Sequence, residues 1–109
     1  TVTEAEWAAP GTVVPISKIG DVNRSEVCLE GRVTVLWEAS SPAISQVGLI
    51  EDETGRTKFT SWTKSNQPLV KEGERVRFRA AAKSWYEGRV SVALTGWSSV
   101  EFPERDGRL

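Results

Sequence analysis

The sequence predicts an all-β fold, a small barrel of five strands. Five segments have the alternation of apolar and polar residues that strands show, and turn-like residues separate them. The first segment is long and contains an internal glycine, and a polar connection separates the third segment from the fourth. With 109 residues, the chain has room for one compact domain.

The first strand is predicted over 27–37, after an extended lead-in and a short turn at 15–19 that places Ile16 and Ile19 on the core. One face of this strand carries Val27, Leu29, Val33 and Val35. Gly31 interrupts the row, which is typical of a bulge or a sharp bend in a coiled strand.

The second strand is predicted over 44–50 and the third over 56–62, with a hairpin turn at 51–55 between them. Residues 63–73 form a polar connection with at most a short helix around Leu69. The fourth strand covers 74–82, a second hairpin tip 85–88, and the fifth strand 89–95. In the fourth strand, Val76, Phe78 and Ala80 are predicted on one face and Arg75, Arg77 and Arg79 on the other. In the fifth, Val90, Val92 and Leu94 are predicted to point inward.

These elements together predict a five-stranded Greek-key barrel of the OB-fold type, with a short helix or turn between strands 3 and 4. Another small barrel of the SH3 type and a fragment of a β-sandwich remain as alternatives. We expect residues 1–12 to be an extended lead-in, 13–102 the OB-fold domain and 103–109 a polar tail.

Cysteine and histidine counts argue against several kinds of chemistry. Cys28 is the single cysteine and there is no histidine, which excludes an intrachain disulfide, the usual zinc sites and the Ser-His-Asp and Cys-His catalytic pairings. Three consecutive acids at 51–53 converge poorly on a metal ion. We therefore expect no catalytic residue, no metal and no cofactor, and we interpret Cys28 as a core or sheet residue.

Charge is unevenly distributed along the chain. The net charge is −1, but residues 1–55 hold nine acids and three bases, whereas residues 56–89 hold nine bases and three acids. A strongly basic middle segment favours a polyanionic partner.

Aromatic residues lie among these basic residues. On the third strand, Lys58, Thr60 and Trp62 share one face while Phe59 points to the core, so Trp62 is predicted to point outward beside a cation. Trp85 and Tyr86 lie at the second hairpin between Lys83 and Arg89. This interleaving is typical of base stacking combined with phosphate neutralisation.

Each of these features has a structural alternative. Trp62 can pack under the connection at 63–73, and Trp85 or Tyr86 can plug the barrel end. Trp37 can line a groove or pack, and we expect Trp97 to be packed. The residues predicted to contact nucleic acid are Trp62, Tyr86, Trp85, Trp37, Thr60, Lys58, Lys64, Lys83, Arg89, Arg32 and Arg79.

Three segments resemble a known family. Residues 48–62 resemble the D-E-T-G-x-x-K-x-x-x-W segment of archaeal single-stranded DNA-binding proteins, which belong with the DNA-binding domains of replication protein A. Residues 71–76 resemble their K-E-G-x-x-V segment, and residues 86–92 their aromatic-x-G-basic-x-x-L hairpin. The resemblance implies stacking by Trp62 and Tyr86. A further family aromatic falls near Ala82 and is absent, and Trp85 is the residue available to substitute for it.

The expected function is sequence-tolerant binding of single-stranded DNA in replication, repair and recombination, with RNA as a further ligand. We also expect a cytoplasmic, nucleoid-associated protein that has no membrane partner, with other replication or repair proteins as further partners. The alternative is a protein-interaction module or structural subunit in which Trp62 and Trp85 anchor an interface.

Overall fold

The computed structural model describes residues 12–22 and 24–105, apart from the side chain of Tyr86. Within these residues the strands are β1 (Glu26–Trp37), β2 (Ile44–Asp52), β3 (Gly55–Trp62), β4 (Arg75–Tyr86), β5 (Arg89–Leu94) and β6 (Ser99–Glu101). Two short 3-10 segments, η1 (Ile16–Asp21) and η2 (Thr63–Ser65), precede β1 and follow β3. The predicted lead-in thus lies largely outside the described residues, as does the end of the predicted tail.

The strands form one sheet in the order β1-β2-β3-β5-β4-β6, and β1 also pairs with β4. That additional pairing closes strands β1 to β5 into a barrel, with β6 as an extra strand on the edge of β4. β3 and β5 run parallel, and the other strand pairs are antiparallel. The predicted five-stranded barrel is confirmed, and a sixth strand, which was not predicted, follows β5.

Gly31 lies where the pairing of β1 changes from β4 to β2. Arg32, the next residue, pairs with Glu51 of β2 and with Arg75 of β4. A Cβ atom at position 31 would collide with the backbone carbonyl of Glu51. The register shifts of β1 lie on either side of Gly31, between positions 27 and 29 and between 33 and 35. Glycine is therefore needed at position 31 because another backbone segment approaches it closely.

The barrel interior is filled by apolar side chains from η1 and from β1 to β5. Phe59 and Phe78 lie at its centre with ring centroids 5.2 Å apart. Ile16 and Ile19 of η1 are buried in the same cluster, as predicted from the turn at 15–19, and Cys28 is buried. The η1 segment therefore caps one end of the barrel.

At Ala80, the positions of β4 that point into the barrel and those that point outward change places. This residue has a φ of 56°, a value that L-residues rarely adopt, and its carbonyl accepts a hydrogen bond of 2.7 Å from Ser98 Oγ. Phe78 and Ala81 are buried but Ala80 is not, so the prediction that Ala80 shares the face of Val76 and Phe78 was wrong. The irregular backbone inserts one residue into the alternation.

β4 also continues to Tyr86, beyond the predicted end at 82. The hairpin tip is reduced to Glu87 and Gly88, whose φ values of 52° and 78° are those a tight type I′ turn requires. The expectation of a tip over 85–88 therefore included two residues that belong to the strand.

Asp52 organises the turn between β2 and β3. Its carboxylate accepts hydrogen bonds from the Thr54 amide at 2.7 Å, the Thr54 hydroxyl at 2.6 Å, the Gly55 amide at 3.1 Å and the Ile16 amide at 3.0 Å. Burial raises the pKa of Asp52, but these donors outweigh it and the pKa lies below its ordinary value. The turn acid therefore ties the hairpin to η1.

The connection between β3 and β4 starts with a helical turn, as predicted, but at another place. The turn is η2, directly after β3, and Leu69, around which a short helix was expected, is 64 % exposed without helical structure. Gln46 fixes the end of the connection, since its side chain exchanges hydrogen bonds of 2.8 and 2.9 Å with the backbone of Val70.

Candidate functional site

The outer face of β3 carries the residues that the alternation predicted. Thr57, Phe59 and Ser61 are buried, whereas Lys58 is exposed and Thr60 and Trp62 are half-buried. On β2 these outer residues lie opposite Leu49, Val47 and Ile44. Trp37 of β1 lies opposite Val47, which brings a second tryptophan to the same face.

A groove runs over this face, and we call it the sheet groove. It consists of two adjoining cavities of about 830 and 470 Å³ that share Trp37, Lys58 and Ser91. Trp62 and Thr60 line one cavity, and Arg56 and Arg89 line the other. Beside Trp62 and Thr60, β4 and β5 contribute the short side chains of Ser84, Ser91 and Ala93.

Three cations line the sheet groove: Arg56, Lys58 and Arg89. Among the described residues, none of the three forms an ion pair or a side-chain hydrogen bond. Two acids, Glu38 and Glu87, also line the groove. Three cations and two acids thus leave the described lining of the groove with a small excess of positive charge.

The aromatic residues predicted to stack bases are divided between two places. Trp37, 47 % exposed, and Trp62 line the sheet groove. Trp85 is 57 % exposed, but its ring lies against the η1 backbone at Gly20, so it covers the barrel end near η1. Tyr86 pairs through its backbone with Arg89, and its side chain lies outside the described residues. From β4, Ser84 lines the sheet groove, and Ala82 pairs with Ala93, another residue of the groove.

Comparisons with known proteins identify the family of this barrel. No protein-family model and no curated protein matched the chain. Among solved structures, the OB domain of MM0293 from Methanosarcina mazei is 37 % identical, with a TM-score of 0.70 over 80 % of this chain and 82 % of that one. This chain is a member of that OB-domain family. The OB-fold predicted from the strand pattern is confirmed.

Two DNA complexes share the fold at low sequence identity. A replication protein A heterotrimer bound to single-stranded DNA is 14 % identical, with a TM-score of 0.55 over 72 % of this OB domain and 57 % of that chain. A murine DNA-binding protein bound to double-stranded DNA is 16 % identical, with a TM-score of 0.66 over 88 % of this domain and 50 % of that chain. At these identities the likeness extends to the fold.

Several arginines of the OB domain are engaged in ion pairs away from Trp62. Glu30 binds Arg75 at 2.7 Å and Arg77 at 2.8 Å, and Glu101 binds Arg77 at 3.0 Å and Arg79 at 2.9 Å. Arg32 pairs with Glu104 at 2.9 Å, and Arg105 with Glu74. We call these groups the arginine network. It includes Arg32 and Arg79, two of the residues predicted to contact phosphates.

Glu30 and Glu74 are the two most enclosed acids of the arginine network, each with a side chain 15 % exposed. Burial raises the pKa of Glu30, but hydrogen bonds from Arg77 and Arg75 outweigh it, so its pKa lies below the ordinary value. Another predicted phosphate ligand, Lys83, is also engaged, since its ammonium group donates a hydrogen bond to the Val22 carbonyl. The structure thus divides the basic residues into an engaged set and an unpaired set.

Trp97 is the exposed aromatic that the sequence interpretation missed. It was expected to be packed, yet it is 87 % exposed, in the turn between β5 and β6. The available signal was its place between Gly96 and two serines, because turn segments of this composition lie at the surface.

Two further observations bear on the kind of site. Within the described ranges, no three His, Cys, Asp or Glu residues are grouped as a metal site would need. The described part of the OB domain also contains no helix of the length and apolar character needed to cross a bilayer.

Proposed function

We propose that this OB domain binds single-stranded nucleic acid, with DNA as the primary ligand, along the sheet groove and without sequence preference. The observation that carries the proposal is the combination of two tryptophans and three unpaired cations in one groove. Exposed aromatic surface is unfavourable in water, and the face of a base covers it well. The proposed biological setting is DNA replication, repair or recombination.

In the proposed complex, bases stack on Trp62 and Trp37, and each stacked base contributes about 1–3 kcal/mol. Arg56, Lys58 and Arg89 neutralise phosphates. The hydroxyl groups of Thr60 and Ser84 are available for hydrogen bonds to the backbone of the strand. Stacking accepts every base because each has a π-face, which is why no sequence preference is expected.

Charge distribution supports binding in the groove despite the net charge of −1. The arginine network neutralises its own cations with Glu30, Glu74, Glu101 and Glu104. Arg56, Lys58 and Arg89 lie outside this network and line the sheet groove, so an anionic strand is attracted there. Glu38 and Glu87 limit this attraction, and we expect moderate affinity.

The hairpin between β4 and β5 has a supporting role in this proposal. Tyr86 and Trp85 are proposed to contact the strand where it leaves the groove near Arg89. Because the Trp85 ring lies against η1, we expect it to contribute less than Trp62. Sharing a fold with the replication protein A complex is consistent with such a path.

The test is a titration of the OB domain with a labelled oligo-dT of about 16 nucleotides, the upper end of the usual site size of one OB-fold. Fluorescence anisotropy reports binding, and tryptophan quenching reports stacking. Trp62→Ala should weaken binding about tenfold or more, because it removes one stacking platform. Leu69→Ala is the control, since Leu69 is a large, exposed apolar residue that does not line the groove.

Circular dichroism of each variant verifies that the barrel is folded. Binding by the wild type that Trp62→Ala weakens and Leu69→Ala does not would support the proposal. A folded wild type that binds neither oligo-dT nor the matching oligo-U at low salt would refute it. The exposed tryptophans would then indicate the alternative, a protein-interaction module.

A further inference from the structure

A third cavity lies beyond Trp62, at the end of the barrel where β3 and β5 finish. It measures about 1000 Å³ and is lined by Trp62, Trp97 and Lys64, with small residues such as Ala43, Ser65 and Gly96 between them. We call it the Trp97 cleft. Trp62 lines both this cleft and the sheet groove, so the two are continuous at that residue.

The turn that carries Trp97 is held from several sides. The Thr95 amide donates to Ser98 Oγ at 2.9 Å, and the Trp97 amide donates to Thr95 Oγ1 at 3.1 Å. Gln67 Nε2 donates to the carbonyls of Thr95 and Ser98, each at 2.8 Å. A turn fixed by so many hydrogen bonds presents its tryptophan in a defined place, and this preorganisation reduces the entropic cost of binding.

Exposure of a fixed tryptophan is unfavourable unless a ligand covers it. Trp97 is 87 % exposed, the highest value among the exposed large apolar side chains of the described residues. The folded protein therefore exposes a large apolar ring to water. The polar groups around this ring form hydrogen bonds that hold the turn in place. This arrangement indicates a binding surface.

The charge of the Trp97 cleft identifies the ligand. Lys64 is the charged residue among those that line it, and no acid does so within the described part of the chain. Lys64 forms no ion pair or side-chain hydrogen bond with any described residue. A cleft with one unpaired cation and two indole rings fits a nucleotide, whose base stacks and whose phosphate is anionic.

We propose that the Trp97 cleft is a second binding site for the same nucleic-acid strand. It takes a nucleotide beyond the one stacked at Trp62. Its base stacks on Trp97 and its phosphate lies against Lys64. The inference rests on the proposed function of the sheet groove and extends the path of the strand from β3 to the turn between β5 and β6. A longer oligonucleotide should thus gain contacts that a short one lacks.

The experiment measures affinity for a series of oligo-dT lengths, from about 4 to about 16 nucleotides, the range of site sizes known for OB-folds. Wild type is compared with Trp97→Ala, Lys64→Gln and the control Leu69→Ala, which lies outside the cleft. Trp97→Ala should leave the affinity for the shortest bound oligomers unchanged and lower it about tenfold for the longest. Trp97→Phe should recover part of this loss because it restores an aromatic ring.

Lys64→Gln should make the salt dependence shallower for long oligomers only. Trp62→Ala, in contrast, should weaken binding at every length, because Trp62 belongs to both sites. If wild type binds and Trp97→Ala matches it at all lengths, the cleft is not part of the path and the inference fails while the proposed function stands. An equal loss at all lengths would overturn the assigned order along the strand. Absence of any binding by wild type would refute both.

Discussion

The salt dependence of binding offers a quantitative test of which cations meet the strand. For single strands, each neutralised phosphate contributes about −0.7 to the slope of log affinity against log salt concentration. Four unpaired cations, Arg56, Lys58, Lys64 and Arg89, line the sheet groove and the Trp97 cleft. They give an expected slope of about −2.8. Six contacts, the number of basic residues singled out from the sequence, would give about −4.2.

Two charge-matched variants separate the unpaired cations from the arginine network. Lys58→Gln removes an unpaired cation of the groove, and its slope should be shallower by about 0.7. Arg79→Gln removes the same charge from a side chain that pairs with Glu101 at 2.9 Å, and its slope should equal that of the wild type. Both variants change the net charge equally, so a difference between them reflects position.

The assay is anisotropy of a labelled oligo-dT of about 16 nucleotides, titrated at several salt concentrations from about 50 to 200 mM. Equal changes of slope in the two variants would refute the division into unpaired and engaged cations. The same holds for a wild-type slope near −4.2, which would require the arginine network to open when the strand binds.

Three further predictions concern stability, measured by thermal and urea unfolding. Glu30→Gln should lower the free energy of unfolding by roughly 1–3 kcal/mol, because it breaks hydrogen bonds to two arginines. Since the pKa of Glu30 is lowered in the folded state, wild type should lose this contribution as the pH falls below about 4.5, while the variant should not. Gly31→Ala should lower the free energy of unfolding by about 1–3 kcal/mol or more, because its Cβ would collide with a backbone carbonyl. Gly96→Ala, with open space around its Cβ, should be nearly neutral. Equal effects of the two substitutions would contradict the close approach at position 31. Ala80→Gly should raise stability by up to about 1 kcal/mol, since glycine adopts a φ of 56° without strain, and a loss of stability would show that the Ala80 backbone is unstrained.

The strands and the two faces of β3 were predictable because alternation is a local property of the sequence. The burial of Phe59 and the exposure of Lys58 follow from a period of two along one segment. The D-E-T-G segment was informative for a similar reason, since Asp52 bonds mainly to residues two and three positions later. Here the sequence interpretation and the structure agree closely.

The reversal at Ala80 and the arginine network depend on residues far apart in the chain. Ser98 bonds the Ala80 carbonyl from 18 residues away, and Arg32 finds Glu104 at a separation of 72 residues. A basic residue in a sequence carries no sign of whether folding will bring an acid to it. This is why Arg32 and Arg79 were included with Lys58 among the predicted phosphate contacts, and why Trp97, without a strand pattern around it, was overlooked.

The reversal at Ala80 also lets a single strand contribute to two unrelated surfaces. Before it, the outward residues of β4 are arginines that pair with acids of β1 and β6, and after it they are the short Ala82 and Ser84 beside the groove. Substitutions in one half therefore need not disturb the other. Descendants of this domain can acquire a new partner on the β6 side while the groove keeps its ligand, and a protein engineer can redesign either surface separately.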